Sequence, residues 1–221
     1  MASKIIPTKP LLVLLYGMPG SGKTFFARQL CEQLQAAHLE ADRIRSELFE
    51  SPTYAKEENH IIASLMSYMT GEFIHNGVSV VFDVNVARAS QRRLLRNLAT
   101  KFKAETVLVW FQIDPDTSFR RAVKRDKRKT DDRYAQDMNP AAFRAALTTM
   151  QNPETAEPFV VISGKHVFSM QKNAFFRELR QRRLVLDAEA AEQVSKPGLI
   201  NLVPNAAAGR VDMTRRNINI H

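Results

Sequence analysis

Leu11-Leu-Val-Leu-Leu-Tyr16, followed at once by Gly17-Met-Pro-Gly-Ser-Gly-Lys-Thr24, is the stretch of this 221-residue chain that decides its fold. The first six residues form a continuous apolar run with the length of a buried strand. The next eight fit the pattern GxxxxGK(S/T), whose glycines let backbone N–H groups turn toward phosphate oxygens. In that pattern the lysine reaches the β and γ phosphates, and the last hydroxyl serves Mg²⁺. The stretch therefore predicts a strand, a phosphate-binding loop and a bound nucleoside triphosphate.

The residues after this loop predict a helix that completes the nucleotide site. Phe26, Leu30, Leu34 and Ala37 recur at the spacing of a helix with one face against a sheet. The unpaired N–H groups and the positive dipole end of such a helix attract anions. A glycine-rich turn without a nucleotide is the alternative, and the strand and helix around the loop argue against it. The residues expected to bind ATP are Gly17, Met18, Pro19, Gly20, Ser21, Gly22, Lys23, Thr24 and Phe25.

Composition and length restrict the class of protein. A chain of 221 residues suits one or two domains, and no apolar run approaches the roughly 18 residues of a membrane span. Residues 1–7 do not have the pattern of a signal peptide. The single cysteine, Cys31, is expected to be a small core residue and not a nucleophile. The sequence thus predicts a cytoplasmic protein without a membrane partner, and it leaves the oligomeric state open.

The charge of the chain is strongly positive and unevenly distributed. It contains 32 Lys and Arg residues against 23 Asp and Glu residues, for a net charge of +9. Clustered cations attract polyanions, so nucleic acid is a candidate partner. A solvated helix face is the alternative for each of two basic runs. The second run spans residues 172–183, and the first comprises Arg120, Arg121, Lys124, Arg125, Lys127, Arg128, Lys129 and Arg133.

Apolar runs of strand length alternate with amphipathic helical patterns along the chain. This alternation, together with the phosphate-binding loop, predicts an α/β fold of the P-loop NTPase type. Its sheet should be doubly wound and mostly parallel, with helices on both faces. Further strands are expected at 78–83, 106–113 and 158–163. Helices are expected to begin at Lys23 and to cover 43–49, 57–75, 89–101, part of 114–129, 140–150 and 172–192.

Asp83 ends the expected strand 78–83, and Asn85 follows two residues later. The carboxyl ends of parallel strands line the ligand crevice of an open sheet, so Asp83 and Gly17 should open onto one cleft. In P-loop enzymes an acid at this place holds Mg²⁺, directly or through water. Thr24 and Asp83 are therefore the expected metal-binding residues, with a helix N-cap as the alternative for Asp83. Asn85 either orients the substrate or stabilises the loop.

Asp42 and Arg45 form a second candidate site. Residues three apart share a helix face, so both side chains could project into the same cleft. The carboxylate could accept a proton from a substrate hydroxyl while the guanidinium holds a phosphate. An ordinary surface ion pair is the alternative.

Four motifs carry a family resemblance. They are the P-loop, the Asp42-x-x-Arg45 pair, Val80-Val-Phe-Asp83-Val-Asn85 and Val123-Lys-Arg125. Together they resemble the kinase domain of 5′-hydroxyl polynucleotide kinases and their zeta-toxin-like relatives, an AAA-type ATP-binding family. The resemblance covers roughly residues 11–165. It implies that the γ-phosphate of Mg²⁺-ATP is transferred to a hydroxyl acceptor.

The same resemblance implies roles for individual residues. Asp42 would be the general base, Arg45 a ligand of the substrate phosphate, and Arg125 the lid arginine over the nucleotide phosphates. With Lys23, these three are the expected catalytic residues. The family's second lid arginine is displaced by one position here. Lys129 stands at the expected spacing and Arg128 stands before it, so the assignment of this lid residue stays open.

The resemblance also sets expectations for domains and acceptors. Residues 1–194 should form one kinase-like domain with a basic helical lid at about 120–138. Residues 195–221 should form a basic tail that is extended or disordered, with strand addition by its last residues as the alternative. The acceptor is either the 5′-hydroxyl of a nucleic acid or a small molecule such as a sugar, nucleoside or antibiotic. A non-catalytic ATP-dependent binding or regulatory module is a further alternative.

Overall fold

Five parallel strands form one sheet around the strand that precedes the glycine-rich loop. They are β1 (Leu11–Tyr16), β2 (Ala36–Glu40), β3 (Ser79–Asn85), β4 (Glu105–Gln112) and β5 (Phe159–Ser163). Their order across the sheet is β2-β3-β1-β4-β5, and every neighbouring pair is parallel. This computed structural model describes residues 4–130, 132–154 and 157–185.

Seven helices are found in the described part of the chain, and they cover both faces of the sheet. α1 and α7 pack on one face, and α3 and α4 pack on the other. The predicted doubly wound α/β fold is therefore confirmed. The helices are α1 (Lys23–Gln33), α2 (Ala41–Leu48), α3 (Lys56–His75), α4 (Ala89–Lys101), α5 (Pro115–Val123), α6 (Pro140–Thr148) and α7 (Phe168–Gln181).

The central strand β1 is fully buried along its whole length. Leu11, Val13 and Leu15 belong to the core under α1 and α7, and the even-numbered residues belong to the core under α3 and α4. Successive strand side chains point to opposite faces, so a strand covered on both sides has no place for a polar residue. This explains the uninterrupted apolar run 11–16.

The prediction that the first helix continues through Ala37 was wrong. α1 ends at Gln33, Leu34 is extended, and Ala37 lies in β2. Leu34 and Ala37 continue the spacing of the helical stripe, which masked the end of the helix in the sequence. β2 is a five-residue edge strand with the sequence Ala-Ala-His-Leu-Glu, which lacks the apolar run that marks the inner strands.

The basic lid predicted at about 120–138 is helical only at its start. α5 ends at Val123, and the described residues from 124 to 139 form turns and irregular structure. Arg125 donates a hydrogen bond from Nη1 to the Gln136 carbonyl at 2.9 Å, which folds the segment back on itself.

Other boundaries differ slightly from those expected. α2 begins at Ala41, two residues before the expected start, so that Asp42 lies in its first turn. α7 begins at Phe168, and its expected end at residue 192 lies outside the described residues, as does the tail 195–221. Within the described ranges, no helix combines the length and the hydropathy needed to cross a membrane.

Candidate nucleotide and acceptor site

The carboxyl ends of the strands open into a cleft of about 920 Å³. The loop between β1 and α1 lies beside the ends of β2 and β3, which contribute Glu40 and Asp83. The start of α2, α5 with the turns after it, the segment 164–167 after β5, and Gln171 of α7 also line the cleft. Ligands of open parallel sheets bind at this edge, where the strand order reverses about the first strand.

The phosphate-binding loop approaches α5 so closely that only glycine fits at residue 20. Gly20 has φ +83°, and a Cβ there would stand 2.2 Å from the Ser118 carbonyl oxygen. Ser118 in turn donates a hydrogen bond from Oγ to the Pro19 carbonyl at 2.8 Å. On the other side, the Gly17 N–H donates to Asn85 Oδ1 at 3.2 Å. Of the two roles open for Asn85, this contact matches stabilisation of the loop.

Lys23 lies at the start of α1 with its ammonium group turned back over the loop. Its Nζ donates to the carbonyl oxygens of Gly17 at 2.8 Å and Met18 at 3.0 Å. Burial lowers the pKa of Lys23 to about 8, although the neighbouring Asp83 opposes the shift. The low pKa reflects an ammonium group that is short of anionic partners, a need that phosphate oxygens would meet.

Thr24 and Asp83, the two expected metal-binding residues, are in contact. Thr24 Oγ1 donates to Asp83 Oδ1 at 3.3 Å, and Asp83 is only 5% exposed. A hydroxyl and a carboxylate beside a phosphate-binding loop are oxygen ligands of the kind that Mg²⁺ prefers. The donor set therefore fits Mg²⁺ together with nucleotide phosphates.

The expected pairing of Asp42 with Arg45 is present, but only Asp42 lines the cleft. Arg45 is 5% exposed and lies behind it, with Nε 4.0 Å from Asp42 Oδ1. The other guanidinium nitrogens donate to Glu58 and, at 2.8 Å, to Asn59 Oδ1. The Tyr54 ring packs 4.4 Å from the same group. Burial raises the pKa of Asp42, although Arg45 counteracts it.

Besides Lys23 and Lys165, the Lys and Arg residues that line the cleft come from α5 and the residues just after it. Arg125, the expected lid arginine, is among them. Arg128 forms an ion pair with Asp126 and lies 90% exposed, and neither it nor Lys129 lines the cleft. The sequence did not distinguish the basic residues that line the cleft from those that do not. The end of α5, which lies within this basic run, has no proline or glycine to mark it. The cleft-lining members are Arg120, Arg121, Lys124 and Arg125.

Two cleft-side residues of β2 were missed from the sequence. Glu40 lines the cleft, and His38 contacts Asp83, Nε2 to Oδ2, at 3.0 Å. Parallel pairing sets Glu40 opposite Asp83 in the register of β2 and β3. Burial, followed by the nearby Asp83 charge, raises the pKa of Glu40 to about 7. Only recognition of β2 as a strand could have found them.

Cys31 is a partly buried residue at the edge of the core, as expected for a structural cysteine. Its side chain packs against the core under α1 and α7. Burial raises the pKa of the thiol to about 12, so the thiolate required of a nucleophile is disfavoured.

Comparison with known proteins places this fold and loop in a family. The model of a family described as an AAA domain matches residues 12–153, more than half of the chain. The chain belongs to this AAA-domain family. The predicted P-loop, kinase-like type of ATP-binding domain is thereby confirmed.

Solved structures of low sequence identity share the fold. Kti12 from Chaetomium thermophilum in complex with ADP-AlF3 is 14% identical with a TM-score of 0.60, covering 80% of this chain and 100% of that chain. A gluconokinase from Sinorhizobium meliloti 1021 is 16% identical with a TM-score of 0.55, covering 85% and 97%. The APS kinase CysC of Mycobacterium tuberculosis in complex with AMPPNP and APS is 19% identical with a TM-score of 0.54, covering 79% and 99%. At these identities the likeness concerns the fold.

Proposed function

We propose that this protein is an ATP-dependent kinase that transfers the γ-phosphate to a hydroxyl acceptor. The observation that carries the proposal is the convergence of four charged groups on one cleft. Its lining includes Lys23, Asp42, Asp83 and Arg125. A phosphoryl-transfer site needs these elements together: a lysine for the phosphates, an acid for the metal, an acid for the acceptor and a cation for transition-state charge.

Each element then has a defined task. The loop Gly17–Thr24 would hold the triphosphate, and Thr24 and Asp83 would hold Mg²⁺, which would supply positive charge to the phosphates. Asp42 accepts the hydrogen bond of the acceptor hydroxyl and orients it toward the γ-phosphate. Arg125 covers the transferred group from the lid, pre-oriented by its hydrogen bond to the Gln136 carbonyl.

The contacts of Arg45 support a task besides the one implied by the family resemblance. Its Nη1 and Nη2 are engaged by Glu58 and Asn59, and its side chain is almost fully buried. We assign it the role of a positioning residue whose charge attracts the Asp42 carboxylate, 4.0 Å from its Nε. An additional role as ligand of a substrate phosphate would require it to release those partners.

The decisive test is transfer of labelled γ-phosphate from ATP to 5′-hydroxyl DNA and RNA, nucleosides, sugars and aminoglycosides. Asp42→Asn should lower transfer by about 10²–10⁴-fold, the usual contribution of a positioned acid–base group. ATP affinity should stay within about twofold of wild type. Glu72→Gln, at an exposed position of α3 outside the cleft, is the matched control.

Two results would contradict the proposal. Equal transfer by the wild type and by Asp42→Asn would remove the role of Asp42. Binding of ATP without transfer to any acceptor of the panel would favour a non-catalytic nucleotide-dependent module instead.

For the acceptor, we favour the 5′-hydroxyl end of a nucleic acid. The basic side chains of Arg120, Arg121 and Lys124 line the cleft beside the nucleotide loop and offer contacts to a phosphate backbone. Two similar structures are instead named as a gluconokinase and an APS kinase, and they support a small acceptor as the alternative.

Salt dependence separates these two acceptor classes. The affinity for a polynucleotide should fall linearly with salt on a double-logarithmic plot, with a slope of about −0.7 per phosphate contacted on a single strand. Lys124→Ala should then flatten the slope by about one contact. An acceptor KM that does not change with salt would indicate a small neutral acceptor.

A further inference from the structure

The carboxylate of Asp83 has contacts on both of its oxygen atoms, and only one of them belongs to the P-loop. Oδ1 accepts from Thr24 Oγ1 at 3.3 Å, as expected for the nucleotide-associated cation. Oδ2 lies 3.0 Å from His38 Nε2. The nucleotide site thus leaves the Oδ2 side of Asp83, with its imidazole neighbour, without an assigned task.

Glu40 completes a cluster of possible metal ligands on this side. One ligand atom from each of His38, Glu40 and Asp83 lies within 4.8 Å of the other two. The fold produces this arrangement, because β2 and β3 run parallel with Glu40 opposite Asp83. His38 precedes Glu40 by two residues on β2, so both side chains leave the same face of the strand.

The cluster is shielded from solvent and brings two carboxylates close together. The side chains of His38 and Asp83 are 18% and 3% exposed, and Glu40 is partly buried. Two carboxylates this close in a shielded place repel each other unless a cation or a proton lies between them. A metal ion of double charge would satisfy both carboxylates and the imidazole at once.

We propose that His38, Glu40 and Asp83 form a binding site for a divalent transition-metal ion, with Zn²⁺ as its preferred occupant. An imidazole nitrogen with two carboxylate oxygens suits Zn²⁺, whereas Mg²⁺ prefers oxygen ligands alone. For ligand distances of about 2.0–2.2 Å, the contact between His38 Nε2 and Asp83 Oδ2 at 3.0 Å would have to open slightly to admit the ion, and Glu40 would have to approach it. The fourth tetrahedral position stays open for water or for a ligand oxygen in the cleft.

Sharing of Asp83 links this site to the nucleotide site. An ion on Oδ2 and Mg²⁺ near Oδ1 would be bridged by one carboxylate, so each changes the affinity of the other. The Zn²⁺ site itself does not depend on phosphate transfer, and it can be tested in the absence of any nucleotide.

The experiment is titration of the untagged full chain with Zn²⁺ alone, by calorimetry and by competition with a fluorescent zinc indicator. The wild type should bind one Zn²⁺ more tightly than His38→Gln or Glu40→Gln by at least about tenfold. His38→Gln retains a hydrogen-bonding group toward Asp83, so it separates metal ligation from simple positioning of that carboxylate. His60→Ala, at an exposed position of α3 outside the cluster, is the control and should bind as the wild type does.

Thr24→Ala tests the nucleotide site separately from the Zn²⁺ site. It should weaken Mg²⁺-dependent ATP binding and should reduce Zn²⁺ affinity less than His38→Gln does, because Thr24 contacts Asp83 but is not one of the three ligands. Absence of Zn²⁺ binding by the wild type, or equal affinity of the wild type, His38→Gln and His60→Ala, would overturn the proposal. Failure of the kinase assay with this Zn²⁺ pattern intact would overturn only the proposed function.

Discussion

Arg45 and Glu58 form a buried ion pair that joins α2 to α3 directly behind the cleft. Glu58 Oε2 also accepts hydrogen bonds from the backbone N–H of Thr53 at 2.8 Å and from its hydroxyl at 2.9 Å. Although burial opposes it, the bonds from Arg45 and Thr53 lower the pKa of Glu58 to about 2. Because Arg45 Nε lies 4.0 Å from Asp42 Oδ1, the pair lies next to a carboxylate that lines the cleft.

Removal of Glu58 should therefore damage both stability and the acceptor site. Glu58→Ala leaves the buried Arg45 charge without its partner, and unpaired buried charges are strongly destabilising. We expect the thermal midpoint to fall by several degrees and the acceptor KM to rise, with little change in ATP affinity. Glu57→Ala, the exposed neighbour on α3, is the control. Equal midpoints for the two variants would show that the pair does not stabilise the fold.

The double variant Arg45→Met/Glu58→Leu tests the same pair by removing both charges. Replacing both charges by apolar side chains removes the cost of an unpaired ion. Its midpoint should exceed that of Glu58→Ala, while transfer stays low because Asp42 loses its positioning partner. A double variant less stable than Glu58→Ala would contradict this explanation.

The P-loop side of the cleft could be predicted from the sequence, whereas the surroundings of Asp42 could be predicted only in part. A buried central strand leaves an apolar run, and the loop leaves a fixed spacing of glycine, lysine and threonine, so both are visible in one segment. The orientation of Arg45 depends on Glu58, thirteen residues away in sequence, and helical spacing alone does not reveal that partner. His38 and Glu40 depend on an edge strand without an apolar run, which the helical stripe of α1 concealed.

The pH dependence of ATP binding should report the lowered pKa of Lys23. In the free protein this pKa is about 8. Below that pH the ammonium group is already charged, and ATP affinity is at its maximum. Above it, binding must take up a proton, so affinity falls by up to about tenfold for each pH unit.

Calorimetry in two buffers of different ionisation enthalpy measures this proton uptake. The uptake should be close to zero at pH 7 and should approach one proton at pH 9–10, roughly one to two pH units above the shifted pKa. Lys23→Arg keeps its charge throughout this range and should lack the step. The same pH profile for both proteins would assign the titration to another group.

Two glycines of the loop should differ sharply when replaced by alanine. Gly20→Ala would place a Cβ 2.2 Å from the Ser118 carbonyl oxygen, in addition to the strain of φ +83°. Gly22 has φ +96°, but a Cβ there would have no neighbour within 4 Å. Gly22→Ala should therefore cost only the backbone strain, about 1–2 kcal/mol. Gly20→Ala should cost more and should also weaken ATP binding, because α5 must move away from the loop.

Denaturant unfolding with and without ATP compares the two variants. The stabilisation by ATP follows from its concentration relative to Kd, so loss of that increment reports loss of the site. We expect the increment to survive in Gly22→Ala to a greater extent than in Gly20→Ala. Equal losses in both would mean that the close approach of α5 does not decide the loop geometry.

Arg92 is the largest fully buried side chain of the described residues, and its removal should destabilise the fold more than that of its neighbour Arg96. Arg92 Nη2 donates to Glu157 at 2.6 Å, and Nη1 donates to the Gln151 carbonyl at 2.9 Å. These hydrogen bonds connect α4 to the segment before β5. Arg92→Ala removes the donor of the Gln151 carbonyl and leaves Glu157 with Arg96 alone, and it should cost about 3–5 kcal/mol. Arg96, which also pairs with Glu157, is 34% exposed, and Arg96→Ala should cost about 0–1 kcal/mol.

Acid unfolding gives an independent check on the same cluster. Although burial opposes it, the bonds from Arg92 and Arg96 lower the pKa of Glu157. A carboxyl with a lowered pKa in the folded state stabilises the protein above its ordinary pKa, about 4.3, and loses this contribution as the pH falls. Below that pH the wild type should therefore lose more unfolding free energy than Glu157→Gln, whose side chain cannot titrate. Parallel pH profiles of the two proteins would show that Glu157 is not held ionised by the two arginines.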